Sequence, residues 1–272
     1  MDKPLVTIAM PTYNQEKYVD EAVNGLLNQT YPNLEIVISD DASADSTFQR
    51  IQDAVNGYNG PHRIILNKNK RNLGIEHYSK LMKLSSGELM VIAHGDDISM
   101  PNRVEILVEA WQKSGTSMIT SNVMNIDSEG NEIGQFSPKG FKPINDTEEL
   151  ARSGWNNSLH GATLAWTPDL FSVFGGLDPN KSSLTTDWVL PFRASLLNGI
   201  HYVDEILIKF RVHKDSKQGL YVNVNKKNPN HKFAFGKHLF VNILKSTGIW
   251  GKLQNNYHNN KFRFFTKSIG VD

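Results

Sequence analysis

The chain has 272 residues, 39% of them apolar, and no cysteine. That length suits one large α/β domain or two small ones, and the absence of cysteine excludes disulfides and thiolate metal sites. The net charge of +1 conceals an uneven distribution: residues 1–216 carry 19 basic and 27 acidic side chains, whereas residues 217–272 carry 10 basic and one acidic.

No apolar run reaches the roughly 18 residues of a membrane-spanning helix. Met1-Asp2-Lys3-Pro4 leads straight into a strand-like run with no signal-peptide pattern. A cytoplasmic location is expected.

In chain order, Leu5 to Met10 reads as a strand closed by Pro11, with Pro11-Thr12-Tyr13-Asn14 as a turn. Val19, Ala22, Val23, Leu26 and Leu27 recur at helical spacing, which predicts a helix over Lys17 to Gln29. Glu35 to Ser39 is a second strand, ending in Asp40-Asp41, and a helix follows over Ser46 to Val55. Arg63 to Leu66 is a third strand, and Asn72-Leu73-Gly74 is a turn into a helix that ends near Leu84. Leu89 to Ala93 is wholly apolar, as expected of a strand covered on both faces, and runs through His94-Gly95 into Asp96-Asp97. A helix from Pro101 to about Lys113 completes the first half. This alternation indicates βαβ units and a parallel sheet. Both Asp-Asp pairs then fall at carboxyl ends of strands, where open α/β sheets bind ligands. Adjacent like charges repel, so each pair requires water, a cation or hydrogen-bond donors around it.

The second half is less regular. Met118 to Asn125 is strand-like and is followed by a hairpin turn at Asp127 to Asn131. Thr147 to Arg152 reads as a short helix, Gly161 to Trp166 as extended, and Pro168 to Val173 as helical up to Gly175-Gly176. A helix runs from Thr185 to about Leu197, and Ile206 to Val212 is the last strand, followed by His213.

Six pieces in this order resemble family 2 glycosyltransferases: Met10-Pro11-Thr12-Tyr13-Asn14, Ile38-Ser39-Asp40-Asp41-Ala42-Ser43, Asn72-Leu73-Gly74, His94-Gly95-Asp96-Asp97, Gly175-Gly176-Leu177-Asp178 and Thr186-Asp187-Trp188. The resemblance covers roughly residues 4–216. It implies a GT-A fold, a Rossmann-like, mostly parallel sheet flanked by helices, as a domain over 1–216. It also implies inverting transfer from a nucleotide sugar. Residues 217–272 form a separate, basic and aromatic extension, expected to be helical.

The resemblance assigns donor binding to Pro11, Thr12, Tyr13, Asn14, Asp40, Asp41, Asn72, Gly74 and Asp96. Tyr13 would stack on a pyrimidine, and Asp41, with Asp40, would accept the N3–H of uracil. Thymine keeps that N–H, so a UDP-sugar or a dTDP-sugar fits. Asp96, Asp97 and His213 are the implied ligands of Mn²⁺ or Mg²⁺ bound with the donor phosphates. His94 stands where many relatives carry another Asp, and we keep it out of the ligand set. Asp187 is the implied base, although Thr186 replaces the Glu that commonly precedes it. His160, Gly161, Asp178 and Trp188 are the implied acceptor side.

The expected acceptor is a glycan or lipid-linked saccharide of bacterial surface polysaccharide, including lipopolysaccharide, synthesis. The basic extension, interleaved with Phe and Trp, suits two readings: a helical extension packed on the catalytic domain, with Lys stems covering it, and peripheral contact with an anionic membrane on its inner face. No nucleic-acid-binding motif is present. The competing reading is a catalytically impaired nucleotide-sugar or glycan-binding module of the same fold. A sugar-nucleotide pyrophosphorylase is disfavoured because no Gly-rich phosphate loop follows the first strand.

Overall fold

Runs of apolar and β-branched residues build the centre of the sheet, and β1 (Val6–Thr12) is its axis. The computed structural model describes residues 3–136, 159–177 and 186–214. β1 pairs in parallel with β2 (Leu34–Asp40) on one side and with β4 (Leu89–Ile92) on the other, and β3 (Arg63–Lys68) extends the sheet beyond β2. Thr12 stands opposite Asp40, and Asp40 opposite Lys68. The carboxyl ends of these strands therefore share one edge.

Side chains alternate across the sheet, and β1 shows the consequence. Val6, Ile8 and Met10 join Val19, Val23 and Leu26 of α1 (Val19–Leu27), Ile51 of α2 (Thr47–Asn56), and Val104 and Leu107 of α4 (Arg103–Ser114). Ala9 points to the other face, packing with Leu81 of α3 (Glu76–Leu84), Leu170 of α5 (Asp169–Ser172) and Leu190 of α6 (Thr186–Leu196). Both faces are covered, as the unbroken apolar strands require.

The remaining strands make the sheet mixed. Its order is β3-β2-β1-β4-β8-β6-β9-β5. β8 (Ala165–Trp166) is antiparallel to both β4 and β6 (Met118–Ile126), β9 (Ile200–Arg211) runs parallel to β6, and β5 (Ile98–Ser99) closes on β9. β7 (Glu132–Gln135) hairpins back onto β6.

Two expectations need correction. The last strand begins at Ile200 rather than Ile206, because a bulge hides it: Ser121 faces Val203, yet Asn122 faces Ile206. The looped-out Asp204-Glu205 breaks the apolar pattern. Gly161 to Thr163 is a 3-10 turn rather than extended, closed by the Thr163 N–H and hydroxyl donating to His160 O at 2.9 and 2.7 Å. β5, of two residues, carries no periodic signal. The expected helix at 147–152, Asp178, the side chain of Trp188 and the whole extension 217–272 lie outside the described residues.

Gly87 shows how tightly β4 enters beside β1. A Cβ there would stand 2.4 Å from Thr7 N and 2.9 Å from Val6 C. Both are backbone atoms, so the strand itself would have to move. Gly87→Ala is expected to destabilise the fold by about 1–3 kcal/mol, the usual range for overpacking, seen as a lower urea midpoint at unchanged slope. A wild-type midpoint would show that the two strands are not in this close contact.

Candidate active site

At the ends of β1 and β2 the chain folds on itself through polar contacts. The only non-glycine residues with positive φ among those described are here, Asn14 (51°) and Ala42 (63°). Such backbone is costly without support. The support is direct: Asn14 N–H donates to Ser43 Oγ at 2.9 Å, and Asn14 Oδ1 accepts from Ala44 N–H at 2.9 Å. Tyr13 sits on the tip of this turn with 48% of its surface exposed, an open aromatic face.

The first acidic pair is held by hydrogen-bond donors. Asp40 is fully buried and accepts from Ser43 N–H at 2.9 Å, from Thr12 Oγ1 at 3.4 Å and from the Ser43 hydroxyl. Asp41 accepts from Asn69 Nδ2 at 2.8 Å, from Leu73 N–H on both oxygens at 2.9 and 3.0 Å, and from Gly74 N–H at 3.0 Å. Asn72 Oδ1 caps the same Gly74 N–H at 2.9 Å, and Gly74 adopts a φ of 55° to present it. His77 lies beneath, its Nε2 2.6 Å from Ser39 Oγ and its Nδ1 3.7 Å from Asp41 Oδ2. Burial lowers the His77 pKa against the pull of Asp41 and Asp40.

The second acidic pair divides its work. Asp96 Oδ2 meets His213 Nε2 at 3.2 Å. Asp97 turns the other way: its Oδ1 accepts the Arg211 backbone N–H at 2.9 Å, while its buried Oδ2 has no hydrogen-bond partner and stands 3.5 Å from His94 Nδ1. Burial disfavours charge on both. For Asp96 the His213 contact and the charges of His94 and His213 prevail and hold its pKa below the usual carboxylate value. For Asp97 burial prevails and raises the pKa. Asp97 and Asp96 also hold the His94 pKa up against its burial.

Two buried arginines fix this loop. Arg211 donates from Nε to Asp96 O at 3.1 Å, from Nη1 to Asp127 O and Ser128 O at 3.3 Å each, and from Nη2 to Glu21 Oε2 at 3.0 Å. Its guanidinium lies 4.8 Å over the Tyr18 ring, and the His213 ring packs 4.9 Å from the same ring. Arg103 joins Ile92 O (2.7 Å) to Ala162 O (3.0 Å) through Nη2 and reaches Ser99 Oγ at 2.9 Å. Gly95 allows the loop to press on β1's turn, since a Cβ there would stand 2.5 Å from Gln15 Oε1.

Asp187 opens α6. Thr186 Oγ1 donates to its Oδ1 at 3.1 Å, and its carboxyl packs on Gly161, where a Cβ would stand 2.4 Å away. Gly161 and Asp187 are thus brought together. His160 is buried, its ring edge-on to Phe136 and Phe210 at 4.9 and 4.1 Å and its Nδ1 accepting from Ala162 N–H at 3.3 Å.

Among the described residues no group of three or more His, Asp or Glu side chains gathers to hold a metal ion. The donor set offered by Asp96 and His213 is one carboxylate oxygen and one imidazole nitrogen. That fits a Mn²⁺-like ion that takes its other ligands from phosphate and water. No helix among the described residues is long and apolar enough to cross a membrane.

The sequence motifs missed Tyr78, whose hydroxyl is 3.3 Å from His94 Nε2. They also missed Arg103 and the anchoring role of Arg211. The only sequence signal for these is a charged or polar residue inside an apolar helix or strand pattern.

The family model described as "Glycosyl transferase family 2" matches residues 7–166. The chain belongs to this family. An uncharacterized glycosyltransferase of Rickettsia conorii is 30% identical over 239 residues, covering 85% of this chain, which spans only 37% of that relative. TarS of S. aureus in complex with UDP-GlcNAc superposes with a TM-score of 0.59 at 17% identity, over 97% of this chain and 79% of TarS. The mannosyltransferase PcManGT of Pyrobaculum calidifontis, in complex with GDP-Man and Mn²⁺, gives 0.63 at 14% identity, over 100% of this chain and 81% of its own. These two likenesses show the fold, which is GT-A.

His77 carries a pH signature. Because its folded pKa lies below the ordinary 6.5, the unfolded chain binds more protons between the two values. Its contribution is fully present above the unfolded pKa and is lost as pH falls through the folded one. Between about pH 7.5 and about pH 5, urea titrations of the wild type should lose more stability than those of His77→Gln. Parallel losses would mean that His77 titrates as in the unfolded chain.

Proposed function

We propose that this family 2 glycosyltransferase moves a sugar from a UDP-sugar, or the chemically equivalent dTDP-sugar, to a glycan or lipid-linked saccharide in bacterial surface polysaccharide synthesis. The observation that carries it is the meeting of Asp96 and His213, 117 positions apart, at the carboxyl end of β4. An imidazole and a carboxylate in contact at that edge suit a metal–diphosphate site.

The donor base is held at the neighbouring strand ends. Tyr13 offers the stacking face. Asp41 offers a charge-assisted acceptor. Three N–H groups meet it in four hydrogen bonds, and Leu73 N–H is shared between both oxygens. If Leu73 settles on one oxygen, the other can accept an N3–H, which uracil and thymine carry and cytosine lacks. Asn72 and Gly74 hold Asp41 in place, and Pro11, Thr12 and Asn14 shape the turn that carries Tyr13. That TarS binds UDP-GlcNAc agrees with a uridine donor.

Asp96 and His213 would hold a divalent ion, which when bound neutralises charge on the departing diphosphate. Asp97 holds β9 in register behind them. Asp187 takes the proton of the acceptor hydroxyl. The oxygen lone pair forms the new bond to the anomeric carbon, and the electrons of the sugar–phosphate bond leave on the diphosphate oxygen, inverting the centre. Gly161 leaves room for the Asp187 carboxylate. The basic segment 217–272 meets the anionic membrane surface that carries a lipid-linked acceptor.

Incubation with UDP-sugars and Mn²⁺ is expected to release UDP, with chelation abolishing turnover. Asp187→Asn should lower kcat by about 10²–10⁴-fold while leaving donor-induced thermal stabilisation in place. Donor binding without any turnover in the wild type would instead identify a binding module. Full turnover in Asp187→Asn would remove Asp187 from the chemistry.

A further inference from the structure

The turn after β1 and the loop after β2 interlock through each other's backbone. Asn14, Gln15 and Glu16 donate their N–H groups to Ser43 Oγ at 2.9 Å, Thr47 Oγ1 at 2.7 Å and Asp45 Oδ2 at 3.2 Å. In return, Asn14 Oδ1 and Glu16 Oε2 accept the N–H groups of Ala44 and Ser46, each at 2.9 Å. Asp41 N–H donates to Thr12 O at 2.9 Å. Tyr13 therefore stands between two ties, one through Thr12 and one through Asn14.

Ser43 joins this interlock to the core. Its N–H donates to Asp40 Oδ2 at 2.9 Å, and its hydroxyl donates to Asp40 Oδ1. A carboxylate only accepts, and a serine hydroxyl has a single proton. That proton goes to Asp40, which leaves Ser43 Oγ as the acceptor that Asn14 N–H requires. Asp40 is fully buried and Ser43 nearly so, whereas Tyr13 is half exposed. The link thus runs from the interior to the exposed ring. The two residues it supports, Asn14 and Ala42, hold positive φ, a backbone state that persists only where the surroundings enforce it.

We propose that Ser43 is a positioning residue which locks the Tyr13 turn to buried Asp40 and so holds the Tyr13 ring in place beside the Asp41 acceptor. The proposal rests on Tyr13 stacking on the base of the donor. It gives Asp40 a part in donor binding without contact: Asp40 acts through Ser43. A ring held in place before the ligand arrives loses less freedom on binding.

UDP is the probe, titrated by calorimetry into the full chain. Ser43→Ala leaves Asn14 N–H without its acceptor. It is expected to weaken UDP about fivefold or more, because only molecules that hold the turn bind at full strength. Tyr13→Ala should weaken UDP as well. The double variant should stay within about twofold of the weaker single one, since Ser43 acts through Tyr13. In turnover the loss should fall on donor KM, with kcat within about twofold of wild type, because stacking on the base is equal in the ground and transition states. Wild-type UDP affinity in Ser43→Ala, multiplicative losses, or a loss confined to kcat would overturn the proposal. Should Ser43→Ala fail to fold, Asn14→Ala breaks the interlock from the other side, and its wild-type UDP affinity would overturn the proposal. If the wild type binds no UDP, or Tyr13→Ala binds it unchanged, the stacking reading fails, and hydrogen exchange at the Asn14 amide still decides on the lock. Exchange should be about tenfold or more faster in Ser43→Ala than in the wild type, and equal rates would overturn the lock.

Discussion

The site depends first on the burial of Arg211. A guanidinium taken out of water costs several kcal/mol unless its donors are met, and a chain that buries one must place acceptors around it. Here they come from three places: the carbonyl of Asp96, the carbonyls of Asp127 and Ser128 in the β6–β7 turn, and the carboxylate of Glu21 on α1. The face of Tyr18 supplies a further attraction. Once these are satisfied, the end of β9, the hairpin and the acidic loop have no freedom to slide. His213, two residues further on, inherits its place against Asp96 from that anchor.

The same constraint explains how adjacent carboxylates coexist. Neighbouring side chains on extended backbone point to opposite sides, which splits Asp40 from Asp41 at the end of β2, whereas Asp96 and Asp97 split within a turn closed by Asp97 N–H donating to His94 O at 3.2 Å. Asp40 turns inward to Thr12 and Ser43, while Asp41 turns to the 69–74 loop. Asp97 turns inward to the Arg211 N–H, while Asp96 turns to His213. In each pair one carboxylate serves the scaffold and its neighbour faces the site. The repulsion expected of two adjacent charges is relieved in part by donors on the protein.

What could be read from the sequence follows the range of the interactions. The βαβ rhythm of residues 6–114 was legible because strand and helix periodicities are local. The two Asp pairs were legible as strand-end sites for the same reason, since the apolar run stops where they begin. The bulge at Asp204-Glu205 was not, because its cause is the partner strand β6. Nor was Asp97's structural role, which needs a backbone N–H 114 positions away. His160 was expected on the acceptor side from its motif, yet its ring is enclosed by Phe136 and Phe210, and nothing in a His-Gly dipeptide announces those neighbours. A charged residue in an apolar pattern, such as Arg103 in α4 or Arg211 in β9, is legible as an anomaly. Its partners are not.

The start of α3 shows how such anomalies combine. Successive residues of a helix point about 100° apart, so three in a row can reach three separate loops. His77 reaches Ser39 and lies under Asp41 at the end of β2. Tyr78 reaches His94 in the acidic loop. Ser79 accepts the Leu177 N–H at 2.8 Å, just past the Gly175-Gly176 turn. Gly176 passes close enough that a Cβ would stand 3.0 Å from Ser79 Oγ. One helical turn therefore holds the end of β2, the Asp96-Asp97 loop and the Gly175-Gly176 turn to a common frame. That places the geometric coupling of the site in residues that no strand-end motif contains.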